Sequence, residues 1–246
     1  MLFRSALADR FRIMQREKEE TQREALSRQK AMADSFARFV PREFLRYLNR
    51  TDIVDVKLGD QVIKEMAVLF SDIRSFTNLS ERMSPQENID FINAYLDRIA
   101  PIIRNNNGFI DKYIGDAIMA LFPESVDDAI TAAVAMQREL YRFNEARRES
   151  GESEISIGIG IHWGKMMLGT IGEAHRLETT VISDAVNTAS RLEGLNKQLG
   201  SKILISGESL GLARPGTYRC RCLGQVPVKG KDRPVEVMEI LMDGEE

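Results

Sequence analysis

The sequence predicts an α+β fold: an α/β sandwich in ferredoxin-like βαββαβ order, with extra C-terminal strands and a helix, behind a long N-terminal helix. Three observations predict it. Met66 to Phe70 is an apolar run of strand length that ends abruptly at Ser71 and Asp72. Two long stretches with apolar residues at helical spacing flank a hairpin pattern. A further apolar strand, Ile155 to Ile161, follows the second stretch and completes the split pattern of such a sheet.

Residues 1 to 39 are rich in Arg, Glu, Lys and Gln and hold no Gly or Pro, so they read as one helix. Leu7, Phe11 and Met14 open a stripe spaced four and three residues apart, continued by Lys18, Thr21, Ala25, Arg28 and Met32. That helix is either solvated all round or a weak parallel coiled coil joining two copies, and the polar middle of its seam suits a signalling helix that shifts register. Pro41 stops it by pushing Val40 out of the helical region. Glu43 to Leu48 resumes a helical turn, and a polar connector ending in Gly59 follows. The chain therefore divides into a helical segment 1–48, a connector 49–63 and a globular domain 64–246.

Within the domain, Ser84-Pro85 reads as an N-cap followed by Pro at the first helical position. Phe91, Tyr95, Ile99 and Ile103 lie on the apolar face of that helix, and Asn105 to Gly108 ends it with Gly in the terminating position. Phe109 to Tyr113 and Ala117 to Phe122 form a hairpin with Gly115 and Asp116 in its turn. Val126 to Arg148 is the second long helix. The tail adds a short strand Met166 to Gly169, a helix from Asp184 to Gln198, and strands near Ile203, Tyr218 and Val235.

Composition excludes several classes of function. At 246 residues with 43% hydrophobic side chains, the chain can bury a core of domain size. A net charge of -3 argues against a nucleic-acid binder that relies on phosphate attraction. No apolar run reaches the length of a membrane span, and the N-terminus carries no signal-peptide core. Cys220 and Cys222, the only two cysteines, alternate onto one strand face and read as reduced. The expected location is cytoplasmic, free or as the cytoplasmic part of a larger membrane-attached protein.

Asp72 at a strand end and Asp116 in a Gly-flanked turn converge in a ferredoxin-like order, because their strands are neighbours. Two carboxylates that meet repel unless cations lie between them. Hard divalent ions suit that role, since magnesium takes one or two carboxylates plus substrate phosphates. Two unrelated turn acids remain the alternative at this point.

Leu69-Phe70-Ser71-Asp72-Ile73-Arg74-Ser75-Phe76-Thr77, Lys112-Tyr113-Ile114-Gly115-Asp116 and Val181 to Arg191 resemble the signatures of the class III adenylyl/guanylyl cyclases, and Val228 to Lys231 resembles a fourth. The likeness covers Lys64 to Leu241. It implies a nucleotide cyclase, adenylyl in type, that converts ATP to 3′,5′-cyclic AMP and pyrophosphate with two divalent cations, Mg2+ or Mn2+. Asp72, Asp116 and the Ile73 carbonyl match the metal ligands of the family. Phe76 and Thr77, in the turn that cradles the triphosphate, together with Lys165 and Lys229, match phosphate binders. Asn187 and Arg191 match the residues that orient the ribose and stabilise charge at the reacting phosphate. Lys112 and Thr180 match the purine-reading pair.

The resemblance also implies a homodimer with two composite sites, metal acids from one copy and base-reading residues from the other, fed by an upstream sensor or membrane domain through the N-terminal helix. No nucleic-acid partner is expected. The rival readings are a guanylyl cyclase, which in this family resembles a Glu where Lys112 stands, and a silent nucleotide-binding or dimerisation domain. A Lys112→Glu, Thr180→Cys double variant is expected to shift preference from ATP towards GTP, checked by the ratio of kcat/KM for the two nucleotides.

Overall fold

The structure, a computed structural model, describes residues 2–36, 41–51, 53–173, 176–227 and 234–242, and falls into two compact units, Met1–Lys57 and Leu58–Glu246. In the first unit, α1 (Leu2–Phe36) is the expected long helix. Met14, Lys18, Thr21, Ala25, Arg28 and Met32 are all exposed along it. Pro41 caps α2 (Arg42–Tyr47), which buries Phe44 and Leu45, and one turn of 3-10 helix follows at Ile53–Asp55. Among the described residues no helix is long and apolar enough to cross a membrane.

The second unit is built on one mixed sheet. It contains β1 (Gln61–Ile73), β2 (Phe109–Ile114), β3 (Ala117–Phe122), β4 (Ile157–Glu173) and β5 (Arg176–Ile182). It is completed by β6 (Ile203–Ser206), β7 (Cys220–Val226) and β8 (Val235–Ile240). The strand order is β2-β3-β1-β4-β6-β8-β7, with β5 paired to β4. Its first four strands are in the ferredoxin-like arrangement. A short α3 (Phe76–Ser80) follows β1, then come α4 (Pro85–Asn105), α5 (Val126–Glu149), α6 (Asp184–Leu199) and a last turn, α7 (Gly207–Leu210).

The alternation Ile157-Gly158-Ile159-Gly160-Ile161 decides how the layers stack. Side chains on a strand point to alternate faces. The three isoleucines enter the main core with Phe91, Tyr95 and Ile99 of α4 and Ala129, Ala133 and Met136 of α5. The two glycines face α6. A Cβ at Gly160 would lie 2.2 Å from the Glu193 amide nitrogen and 2.3 Å from the Ala189 oxygen, so α6 packs directly on the strand backbone. That close approach brings α6 down onto the strand that pairs with β1.

Four details depart from the expected elements. β1 starts at Gln61, ahead of Lys64, because Gln61 to Ile63 extend the ladder with β4. β4 runs unbroken from Ile157 to Glu173, so Met166 to Gly169 is not a separate strand. The polar stretch after it returns as β5, whose largely exposed residues need no apolar face and therefore leave no periodicity to read. Finally, the chain leaves α4 through Asn107, two residues past its last helical residue and in the left-handed region at φ 59, while Gly108 follows because a Cβ there would meet the Phe122 ring at 2.4 Å. The expected cap at Ser84 is present and completed by Glu87, whose carboxylate accepts the Ser84 N–H at 2.7 Å.

Substituting Gly160→Ala should force α6 outward and lower stability by about 2 kcal/mol or more, since overpacked backbone cannot move aside as a side chain does. Urea denaturation checks this, with Gly194→Ala, where a Cβ meets open space, as the near-neutral control.

Candidate active site

β1 and β3 pair antiparallel with Ser71 opposite Ile118, so Asp72 and Asp116 come together at one end of the sheet. The Ile73 N–H donates to Asp116 Oδ2 at 3.2 Å and ties the strand end to the hairpin turn. A cavity of about 320 Å³ opens there, lined by Asp72 to Thr77 and Asp116, with Glu193, Gly194 and Lys197 from α6. Asp72, Ile73, Phe76, Thr77 and Asp116 are thus gathered in one place.

The loop between β1 and α3 is held from both sides. The Arg74 N–H donates to the Ser156 carbonyl at 2.8 Å, and its guanidinium donates to the Ser201 carbonyl. Ser75 then takes the left-handed region at φ 57, which turns the chain into α3. Phe76 stacks on Phe91 of α4, with ring centroids 6.1 Å apart. The first amides of any helix lack intrahelical acceptors, so this turn presents N–H groups to the cavity end of the sheet.

Electrostatics mark the same place. Burial, a hydrogen bond to Asp116 and the charge of that group push Asp72 up to about 7, against the pull of the Ile73 N–H. Burial, then the charge of Asp72, also push Glu193 up to about 7, with Arg74 pulling it back. Three carboxylates therefore share one partly desolvated cavity, an arrangement that favours protons or cations. Among the described residues no three His, Cys, Asp or Glu side chains form a ready metal-binding group, so the candidate set is two carboxylates and the Ile73 carbonyl.

Asn187 and Arg191 do not line this cavity. Ser183 caps α6 by accepting the Ala185 N–H, and Ala185, Ala189, Leu192 and Asn196 are buried. Asn187 is exposed one turn before Arg191, whose Nη1 is buried without a hydrogen-bond partner. Arg191 and Glu193, two residues apart on a helix, point about 200° apart around its axis. Lys112 and Thr180 also lie outside the cavity lining. The Lys112 ammonium sits 3.6 Å from Asp111 Oδ2 and 3.9 Å from Glu178 Oε1, which brings β5 alongside β2 although β3, β1 and β4 lie between them in the sheet.

Lys165 is not brought to the cradle. It stands opposite Glu65, seven register positions along β1 from Asp72, and its exposed ammonium lies 3.7 Å from the Glu65 carboxylate. Lys229 lies outside the described residues. His162 is buried, with Nδ1 2.8 Å from Ser206 Oγ, so it is a packed residue as expected from its place beside Trp163.

Sequence reasoning missed Glu193, Gly194 and Lys197 at the cavity and Glu178 at the lysine, and it named Arg74 only as part of the Ile73 to Thr77 backbone. Glu193 had one available signal: it follows Ala189 by four residues, and both meet the glycine positions of an Ile-Gly-Ile-Gly-Ile strand.

Comparison with known proteins fits this geometry. Residues 58–240 match the model of the adenylate and guanylate cyclase catalytic domain. The chain belongs to that family. An adenylate cyclase of Anabaena cylindrica is 44% identical over 218 residues, covering 86% of this chain and 43% of the relative. Among solved structures, an adenylyl cyclase from P. aeruginosa is 34% identical with a TM-score of 0.66, covering 74% of this chain and 95% of that one. A guanylyl cyclase is 30% identical with a TM-score of 0.64, covering 77% of this chain and 96% of the other. The chain spans less than half the length of the curated cyclases it matches first.

The raised Asp72 makes a pH prediction for this cyclase domain. Because its folded value lies near 7, above the ordinary 3.8, the folded chain holds a proton that the unfolded chain releases between those values. Stability therefore falls as pH rises through that window. In chelator-treated buffer, the urea midpoint of the parent chain should drop more between about pH 5 and about pH 8 than that of Asp72→Asn, which cannot titrate. Equal slopes would refute the assignment.

Proposed function

We propose that this domain is an adenylyl cyclase that converts ATP to 3′,5′-cyclic AMP and pyrophosphate at composite sites between two copies of the chain. The observation that carries the reading is the meeting of Asp72 and Asp116 beside the Ile73 to Thr77 turn. The named adenylate cyclase relatives support it, and Lys112 stands where guanine readers of the family resemble a Glu.

The cavity suits divalent cations: Asp72 is held near 7 by burial and by Asp116, a penalty that a cation between the two would remove. Asp72, Asp116 and the Ile73 carbonyl would hold two such ions, Mg2+ or Mn2+. When bound, they supply charge neutralisation of the triphosphate and acidify the ribose 3′-hydroxyl.

The chain itself positions and excludes. Amides of the Ser75 to Thr77 turn would cradle phosphate oxygens, with Phe76 fixed by its stack on Phe91. The 3′-oxygen attacks the α-phosphorus in line, the bond to the bridging oxygen of the β-phosphate breaks, and the hydroxyl proton passes to solvent. Arg191 and Asn187 would stabilise charge on the reacting phosphate and orient the ribose. Since both lie outside the cavity lining of their own chain, a second copy is the natural source of that pair. The unsatisfied Arg191 Nη1 agrees with a partner outside this chain. Lys112 would donate to the purine ring nitrogen, with Thr180 beside it. The exposed Met14-to-Met32 stripe of α1 suits pairing with a second copy and relaying a signal from an upstream sensor.

Purified chain with Mg2+ or Mn2+ should make cyclic AMP from ATP in preference to cyclic GMP from GTP. Asp72→Asn or Asn187→Ala should each lower kcat by about a hundredfold or more. Mixing the two inactive variants should restore part of the activity, because one site of each mixed dimer is intact. Failure of the mixture to recover activity would reject the composite site, and unchanged output from Asp72→Asn would reject the metal site.

A further inference from the structure

β2 is irregular where it pairs with β3. Ile110 faces Ala120 and Lys112 faces Met119, so two steps on β2 span one on β3 and Asp111 is the extra residue. Adjacent side chains of a regular strand point to opposite faces, whereas a bulge re-aims them. Here Asp111 and Lys112 share a side, with Nζ 3.6 Å from Oδ2. The Asp111 side chain is fully buried, and neither of its oxygens has a hydrogen-bond partner. A buried carboxylate in that state is committed to holding the one ammonium beside it.

Glu178 stands on the other side of that ammonium, 3.9 Å away, on the edge strand β5. Two residues apart on one strand, Glu178 and Thr180 share a face. The Glu178 side chain is 59% exposed, so its oxygens keep acceptor capacity that packing does not use.

The chemistry of the two β5 groups differs. A threonine hydroxyl both donates and accepts, so it serves an amine or a carbonyl oxygen alike, whereas a carboxylate only accepts. If Lys112 donates to N1 of adenine, the neighbouring C6 amine needs an acceptor. Guanine or hypoxanthine in the same pose presents a carbonyl oxygen to that acceptor and an N–H to the ammonium, and both contacts are repulsive.

We propose that Glu178 is the specificity-determining acceptor of the base site, taking the C6 amino group of adenine while Asp111 holds the Lys112 ammonium towards N1. This rests on the reading of the domain as an ATP cyclase whose base is read by Lys112. It deepens that reading by adding Glu178 to the Lys112 and Thr180 pair, with Asp111 as a positioning residue.

The test compares ATP with inosine triphosphate, which differ only at C6 and N1. In the full chain, Glu178→Ala should narrow the ATP-to-inosine kcat/KM ratio by about tenfold or more, chiefly through KM. Glu178→Gln, whose amide can also donate, should narrow it similarly, and Thr180→Ala should narrow it less than Glu178→Ala does. Asp111→Asn should raise KM for ATP more than it lowers kcat. Where Asp111→Asn fails to fold, the variants at the exposed Glu178 carry the test alone.

A ratio unchanged in Glu178→Ala while the parent still cyclises ATP, or a ratio that collapses in Thr180→Ala instead, overturns the proposal and leaves the cyclase reading standing. If the parent cyclises neither nucleotide, the cyclase reading fails. Calorimetric binding of 3′-deoxy-ATP against 3′-deoxy-inosine triphosphate to parent and Glu178→Ala then decides the role of Glu178 by the same ratio. Binding of neither analogue overturns both.

Discussion

Asp72 and Asp116 are held together by the hydrogen-bond register between β1 and β3, and their mutual repulsion is the constraint around which this end of the domain is arranged. Strand pairing is insensitive to the charge carried at its end, so the ladder imposes a proximity that the carboxylates alone would refuse. The Ile73 N–H on Asp116 absorbs part of the cost, and the rest appears as the upward push that burial and Asp116 give Asp72. What remains is an appetite for positive charge at a point where a loop of backbone amides begins.

The other face of the same sheet sets who else is present. Glycines at 158 and 160 let α6 lie against β4, which delivers Glu193 to the cavity and turns Arg191 round the helix away from Glu193. One helix therefore serves the acids of its own chain with one side and offers Asn187 and Arg191 with another. Within one copy, then, Asn187 and Arg191 stand outside the cavity that the acids line.

Legibility from sequence followed burial. β1, α4, the β2–β3 hairpin and α5 were readable because Met66 to Phe70, Tyr95, Ile99 and Met136 repeat with the period of their element. Ser84 announced the start of α4 through a side chain whose only use is capping. β5 was invisible because an exposed edge strand can be polar on both faces. Lys165 stands where the resemblance implies a phosphate-binding cation, and strand register sets it opposite Glu65, a pairing that local sequence does not encode. Glu193 and Glu178 look like surface acids until the glycine strip and the bulge at Asp111 show what lies opposite them. The candidate site was legible where it sits on strand ends and turns, and hidden where it depends on one element crossing another.

The edge strand β7 carries both thiols of the chain, Cys220 and Cys222, free and exposed at the far margin of the sheet from β2. With no other cysteine to compete, a maleimide dye or a surface tether can be attached there without touching the hairpin that bears Asp116. Distances between the labels of two associated copies would then report their mutual tilt while the catalytic apparatus stays chemically native.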